Sequence, residues 1–154
     1  MKLNLGCGKD IRDGYVNIDI IRFSDDVVVG DIQKLTYDDN SIDEILANDV
    51  YEHVGFQDSV SLLSHWVSKL KDGGLLIIQT PNILNLAKNI LNQKNDKQIE
   101  SSIRKIFGGQ DHQYNYHFTS GHPVLMKKYL RMAGITGDIN ITDHRLNMTV
   151  RALK

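Results

Sequence analysis

The sequence predicts an α/β domain built on a doubly wound, mostly parallel sheet, and three observations carry that expectation. A short apolar strand, Leu3 to Leu5, runs into two glycines one residue apart, Gly6 and Gly8. A second strand, Tyr15 to Ile20, carries a carboxylate, Asp19, near its end. Glycine lets the backbone turn sharply and leaves room for a ligand against the main chain, while a strand-end carboxylate accepts from a ribose diol. The third observation is Leu75 to Ile78, an almost wholly apolar strand. Strands of that kind are covered on both faces, as in parallel sheets wrapped by helices.

Taken in order, Lys9 to Gly14 is too short for a crossover helix, which needs a dozen or more residues, and reads as a turn. Val27 to Asp31 is a third strand, again ending on a carboxylate. Asp38 to Ser41 is a turn cluster leading into a fourth strand, Ile42 to Asn48. Apolar residues at 60, 62, 63, 66, 67 and 70 follow helical spacing, and Asp72-Gly73-Gly74 stops that helix before the fifth strand. Residues 82 to 107 read as helical with a break near Asn95-Asp96. A polar, aromatic loop with three histidines follows, Gly108 to His122. Val124 to Ala133 is a helix closed by Gly134, and Ile135–Ile141 and Asn147–Leu153 pair as a final antiparallel hairpin. With no internal repeat, low-complexity tract or linker, residues 1–154 are expected to form one domain, in which 82–122 is an insertion suited to a lid.

Composition bounds the function. A length of 154 residues suits one domain with a sizeable core. The net charge of −1 gives no electrostatic reason to expect nucleic acid or an anionic membrane surface as partner. The lone cysteine, Cys7, rules out an internal disulfide and suits a reducing cytoplasm. No apolar run approaches the roughly 20 residues of a membrane span, and no signal-peptide pattern opens the chain. The expected location is the cytoplasm.

The motifs also resemble a known family. Leu-Asn-Leu-Gly-Cys-Gly at 3–8 is similar to the first motif of class I S-adenosylmethionine-dependent methyltransferases, and Asp19 matches that family's acidic residue after the second strand. Gly30-Asp31-Ile32, the segment Asn48-Asp49-Val50-Tyr51-Glu52-His53, and Leu70 to Ile77 resemble its later motifs in the same order. The nearest resemblance is to small methyltransferases linked with surface-glycan synthesis. What the resemblance implies is a Rossmann-like fold with S-adenosylmethionine as cofactor. Gly6, Cys7 and Gly8 would then lie beside its methionine part, Asp19 would hold the ribose, and Asp31 the adenine amino group. Ile20 and Ile32 would flank the base, with Asn48 near the methyl group.

The implied reaction is methyl transfer to a small-molecule or glycan acceptor. His117 or His53 serves as the base for a hydroxyl, and His112, Tyr116 and His117 bind the acceptor. The sequence departs from the family at Asn4, where an acidic residue is common. It also starts at the first strand, so the N-terminal cover helices are expected to be lacking and a homodimer is expected to supply cover. These departures leave open a second reading, a non-catalytic cofactor-binding protein or the partner subunit of a larger enzyme. NAD binding is disfavoured because Ile11 stands where its fingerprint needs a third glycine. The i, i+5 spacing of His112, His117 and His122 matches no common zinc pattern, so no metal is expected.

Overall fold

A computed structural model describes all 154 residues, Met1–Lys154. Seven strands form one sheet: β1 (Lys2–Leu5), β2 (Val16–Asp19), β3 (Val27–Val29), β4 (Ile42–Asn48), β5 (Leu70–Pro81), β6 (Ile139–His144) and β7 (Asn147–Leu153). Their order is β3-β2-β1-β4-β5-β7-β6. The first five run parallel, and β7 alone is reversed, pairing antiparallel with both β5 and β6. The expected C-terminal hairpin is therefore present, although β6 begins at Ile139 rather than Ile135. Four helices accompany the sheet: α1 (Ser59–Lys69), α2 (Ile83–Leu91), α3 (Asp96–Phe107) and α4 (Pro123–Met132). The expected helix break falls at 92–95, where the Asn95 side chain caps α3 by accepting from Gln98 N.

The register shows where the core lies. Leu3, Ile45, Leu76 and Ala152 form one row across four strands, and Leu5, Ala47, Ile78 and Val150 form the next. All eight are buried in one cluster with Leu62, Leu63, Trp66 and Val67 of α1 and Met126 and Leu130 of α4. The periodicity that marked α1 thus faces one side of the sheet. A buried Leu or Val contributes about 1.5–3 kcal/mol, so these rows are the main source of stability.

The other side corrects the expectation of cover on both faces. Its rows carry Lys2 beside Glu44, and Gln79 beside Thr149. Tyr15 hydrogen-bonds to Glu44, and the Lys2 ammonium sits 5.4 Å above the Tyr15 ring. Neither α2 nor α3 adds a residue to the core cluster. Leu75 and Ile77, which made β5 look doubly buried, are only half-buried. The short Lys9–Gly14 connection is the physical reason, because it brings no helix to that face. Instead, Asn4 donates to the Asp10 carbonyl at 2.7 Å and to Asn17 Oδ1 at 2.9 Å. Polar pairs thus occupy the region beneath the short connection. No helix is long and apolar enough to cross a membrane.

Candidate functional site

The strand order reverses direction between β1 and β4, since the chain winds outward through β2 and β3 and then returns to β4. Open α/β sheets bind ligands at such a point, outside the carboxyl ends of the strands. A cleft of about 390 Å³ lies there, within the range of small-molecule sites. The turn after β1 forms one wall. Gly6 and Gly8 have φ of +60° and +52°, the left-handed region that favours glycine. A Cβ on Gly6 would stand 2.3 Å from Val50 Cγ2, so this turn is also packed against the segment after β4. A Cβ on Gly8 would meet nothing within 4 Å.

Asp19 fixes that turn. Its Oδ2 accepts from Gly8 N at 2.8 Å and its Oδ1 from Ile21 N at 2.9 Å. A carboxylate has about four acceptor positions, so two stay available to a diol. Gly6, Gly8, Asp19, Ile20, Asp31 and Ile32 all line the cleft. Asp31 Oδ1 accepts from Gln33 N, which orients it, and the buried Trp66 indole donates to the Ile32 carbonyl at 2.9 Å. One core side chain thus holds the loop that brings Ile32 to the cleft.

Two expected members stand aside. Cys7 is buried and does not line the cleft; its backbone N donates to the Ile18 carbonyl. Burial, then the charge of Asp19, pushes its thiol up to about 11. Asn48 closes β4 opposite Gln79 and does not line the cleft either. The next residue, Asp49, turns into the cleft wall with φ +49°. Its carboxylate accepts from Gln79 Nε2 at 3.0 Å and Asn147 Nδ2 at 2.9 Å. Sequence reasoning missed Asp49, along with Phe23, Val50 and Phe118, which also line the cleft. A positive φ at an aspartate is the signal that could have marked Asp49, and it is not visible in a strand-period pattern.

The histidine-bearing loop closes the remaining side. His112, Gln113, Tyr114, Asn115 and Phe118 line the cleft, whereas Tyr116 and His117 do not. Tyr116 acts through its main chain, since its carbonyl faces His53 Nδ1 at 2.9 Å. His117 Nδ1 faces the Lys105 carbonyl at 3.1 Å. A carbonyl only accepts, so each Nδ1 carries the proton and each Nε2 keeps its lone pair. The two rings meet edge to face with centroids 4.9 Å apart. Burial, then the neighbouring His53, lowers the pKa of His117 and favours its neutral form.

Glu52 completes this corner. The loop is tied to its carbonyl, which accepts from Phe118 N and Thr119 N at 2.8 and 3.2 Å. Its side chain is 1% exposed and takes one hydrogen bond, from Thr80 Oγ1 at 3.0 Å. Burial, assisted by the charge of Asp49, raises its pKa to about 8. One ligand atom each from Glu52, His53 and His117 lie within 4.8 Å of one another. Gly121, at the loop's far end, is fastened rather than free. Its N donates to the Pro81 carbonyl, and a Cβ there would come within 2.4 Å of Met148 Cε.

Comparison with known proteins bears on this geometry. Residues 7–78 match the family model described as a methyltransferase domain. No curated protein matches the chain in sequence. Among solved structures, an S-adenosylmethionine-dependent methyltransferase from Archaeoglobus fulgidus is 17% identical with a TM-score of 0.69, covering 99% of this chain and 85% of that one. A possible histamine N-methyltransferase from Thermotoga maritima is 15% identical, with a TM-score of 0.68 and coverage of 99% and 81%. A Burkholderia thailandensis 1,6-didemethyltoxoflavin-N1-methyltransferase, solved with that acceptor and S-adenosylhomocysteine, is 14% identical. Its TM-score is 0.62, with coverage of 99% and 70%. At these identities the likeness is one of fold. Residues 7–78 thus match a methyltransferase domain, and the fold built around them is the one seen in solved S-adenosylmethionine-dependent methyltransferases.

Proposed function

We propose that the cleft between β1 and β4 holds S-adenosylmethionine and presents its methyl group to a small polar acceptor, a hydroxyl-bearing small molecule or glycan unit. The observation that carries this reading is the Asp19–Gly8 hydrogen bond at 2.8 Å. It holds a glycine turn open beside a carboxylate with two acceptor positions to spare, which fits an adenosine diol. Ile20 and Ile32 offer apolar contacts for a flat base, and Asp31 an acceptor for its amino group. Gly6 and Gly8 let the methionine part lie against the main chain, with Cys7 contributing only backbone.

The cofactor, held by these residues, would supply an activated sulfonium methyl to the acceptor's lone pair. The protein's part is alignment, close approach and removal of the acceptor's proton. His53, at the cleft wall, and its edge partner His117 are the groups we assign to that proton, through an Nε2 lone pair. His112 and the loop around Tyr116 supply polar contacts to the acceptor. Asn48 acts only by placing Asp49.

Calorimetric titration with S-adenosylhomocysteine tests the cofactor half. The intact protein binds it, and Asp19→Ala weakens binding by about 1.5–3 kcal/mol, the worth of hydrogen bonds to a charged group. No binding by the intact protein, or no loss in a folded Asp19→Ala variant, overturns the assignment.

A further inference from the structure

We infer that Glu52, His53 and His117 form a binding site for one divalent transition-metal ion beside the methyl-transfer cleft. Three features of the corner point the same way. The donor set is two imidazoles and a carboxylate, with one ligand atom from each inside a 4.8 Å radius of the others. Imidazole and carboxylate donors together suit zinc, cobalt or iron rather than calcium or magnesium. Second, both rings are already oriented as ligands are. Each directs Nδ1–H to a main-chain carbonyl, of Tyr116 and Lys105, which fixes the tautomer that leaves Nε2 as donor. Third, Glu52 is 1% exposed and is reached by a single side-chain donor, the neutral Thr80 hydroxyl. No salt bridge reaches it, and buried carboxylates are as a rule paired or metal-bound.

The Asp49 carboxylate adds negative charge at the same corner, which favours a dication. Asp49 is not in the group of mutually close donors, and its two oxygens accept from Gln79 and Asn147. Zinc–nitrogen bonds of about 2.0–2.1 Å place tetrahedral ligands about 3.4 Å apart, so donors within 4.8 Å of one another must close by up to about 1.4 Å. His117 is on a loop and His53 on a single 3-10 turn, Tyr51–His53, which allows that movement.

Three protein ligands leave a coordination position open, the pattern of a working rather than a structural ion. Resting on the function proposed above, this deepens it. A hydroxyl acceptor whose oxygen takes the open position gives up its proton to solvent more readily, because the ion's charge stabilises the oxyanion. In the ion-bound form the Nε2 lone pairs of the two histidines hold the metal; their role as bases belongs to the ion-free protein.

The test is metal binding by the purified protein after dialysis against a chelator. Cobalt(II) is titrated by its visible absorption, and zinc by competition with a chromophoric chelator. One equivalent binds with a nitrogen/oxygen spectrum. His53→Ala and His117→Ala each weaken binding at least tenfold, and His144→Ala, on β6, does not. Glu52→Gln, checked for folding by circular dichroism, weakens it likewise. Absence of stoichiometric binding by the intact protein overturns the inference, as does undiminished binding in the two histidine variants. Calorimetry with S-adenosylhomocysteine runs alongside. Ion binding without cofactor binding removes the proposed function and leaves this site standing; cofactor binding without ion binding removes only this site.

Discussion

Asn4 and Asn17 sit side by side on β1 and β2, both buried, with Asn4 Nδ2 donating to Asn17 Oδ1 at 2.9 Å. Asn17 Oδ1 also accepts from Arg12 N, and its Nδ2 donates to the Arg12 carbonyl. The pair is the fastening that lets a short loop replace a crossover helix, and it accounts for polar residues inside two central strands. Removing one partner leaves buried groups unsatisfied, so Asn17→Ala should cost about 1–3 kcal/mol. Urea unfolding measures this. The Asn4→Ala, Asn17→Ala double variant should lose less than the sum of the single losses, because the two share one network.

Gly6 and Val50 make a second close pair. Any side chain at position 6 must adopt φ near +60° and also displace Val50, whose Cγ2 would stand 2.3 Å from the new Cβ. Gly6→Ala should destabilise the fold by about 1–3 kcal/mol, the scale of a strained backbone residue. Thermal unfolding should show that adding Val50→Ala recovers the steric part and leaves the φ penalty. Full recovery would mean that backbone conformation contributes nothing there.

Cys7 should be chemically quiet. Its thiol is raised from 9.0 to about 11, chiefly by burial. Only the thiolate reacts, so alkylation near pH 8 should run about a hundredfold slower in the folded protein than in urea. The linkage sign follows from a folded pKa above the unfolded one. This group's contribution to stability is whole below about 9 and is lost as pH rises through about 11. Unfolding of Cys7→Ala should therefore show a weaker loss of stability over that alkaline window than the intact protein.

His117 should separate chemistry from cofactor binding. It contacts the His53 ring and the Lys105 carbonyl but does not line the cleft. His117→Ala should lower methyl transfer by a factor of about 10²–10⁴, the range for a positioned proton-transfer group, while S-adenosylhomocysteine affinity stays within about twofold. A variant that loses cofactor affinity, or keeps full turnover, would remove His117 from the acceptor side of the site.

The sequence by itself determined the strands, the glycine turn and the cleft-lining row Asp19, Ile20, Asp31 and Ile32. Those features are local: hydrophobic period, the φ freedom of glycine and the position of a carboxylate at a strand end all lie within a few residues. It also determined that β7 pairs antiparallel, because a short turn joins two alternating segments. The tertiary structure decided that helices α1 and α4 cover one face of the sheet, since the length of Lys9–Gly14 says that a helix is missing but not what replaces it. It placed Asp49 rather than Asn48 at the cleft, through one left-handed φ. It also brought Glu52, His53 and His117 into one corner, where the sequence had offered His117 and His53 as alternative bases and had not joined Glu52 to them. That meeting depends on the Glu52 carbonyl catching Phe118 N and on Tyr116 catching His53, hydrogen bonds between segments that no spacing along the chain encodes.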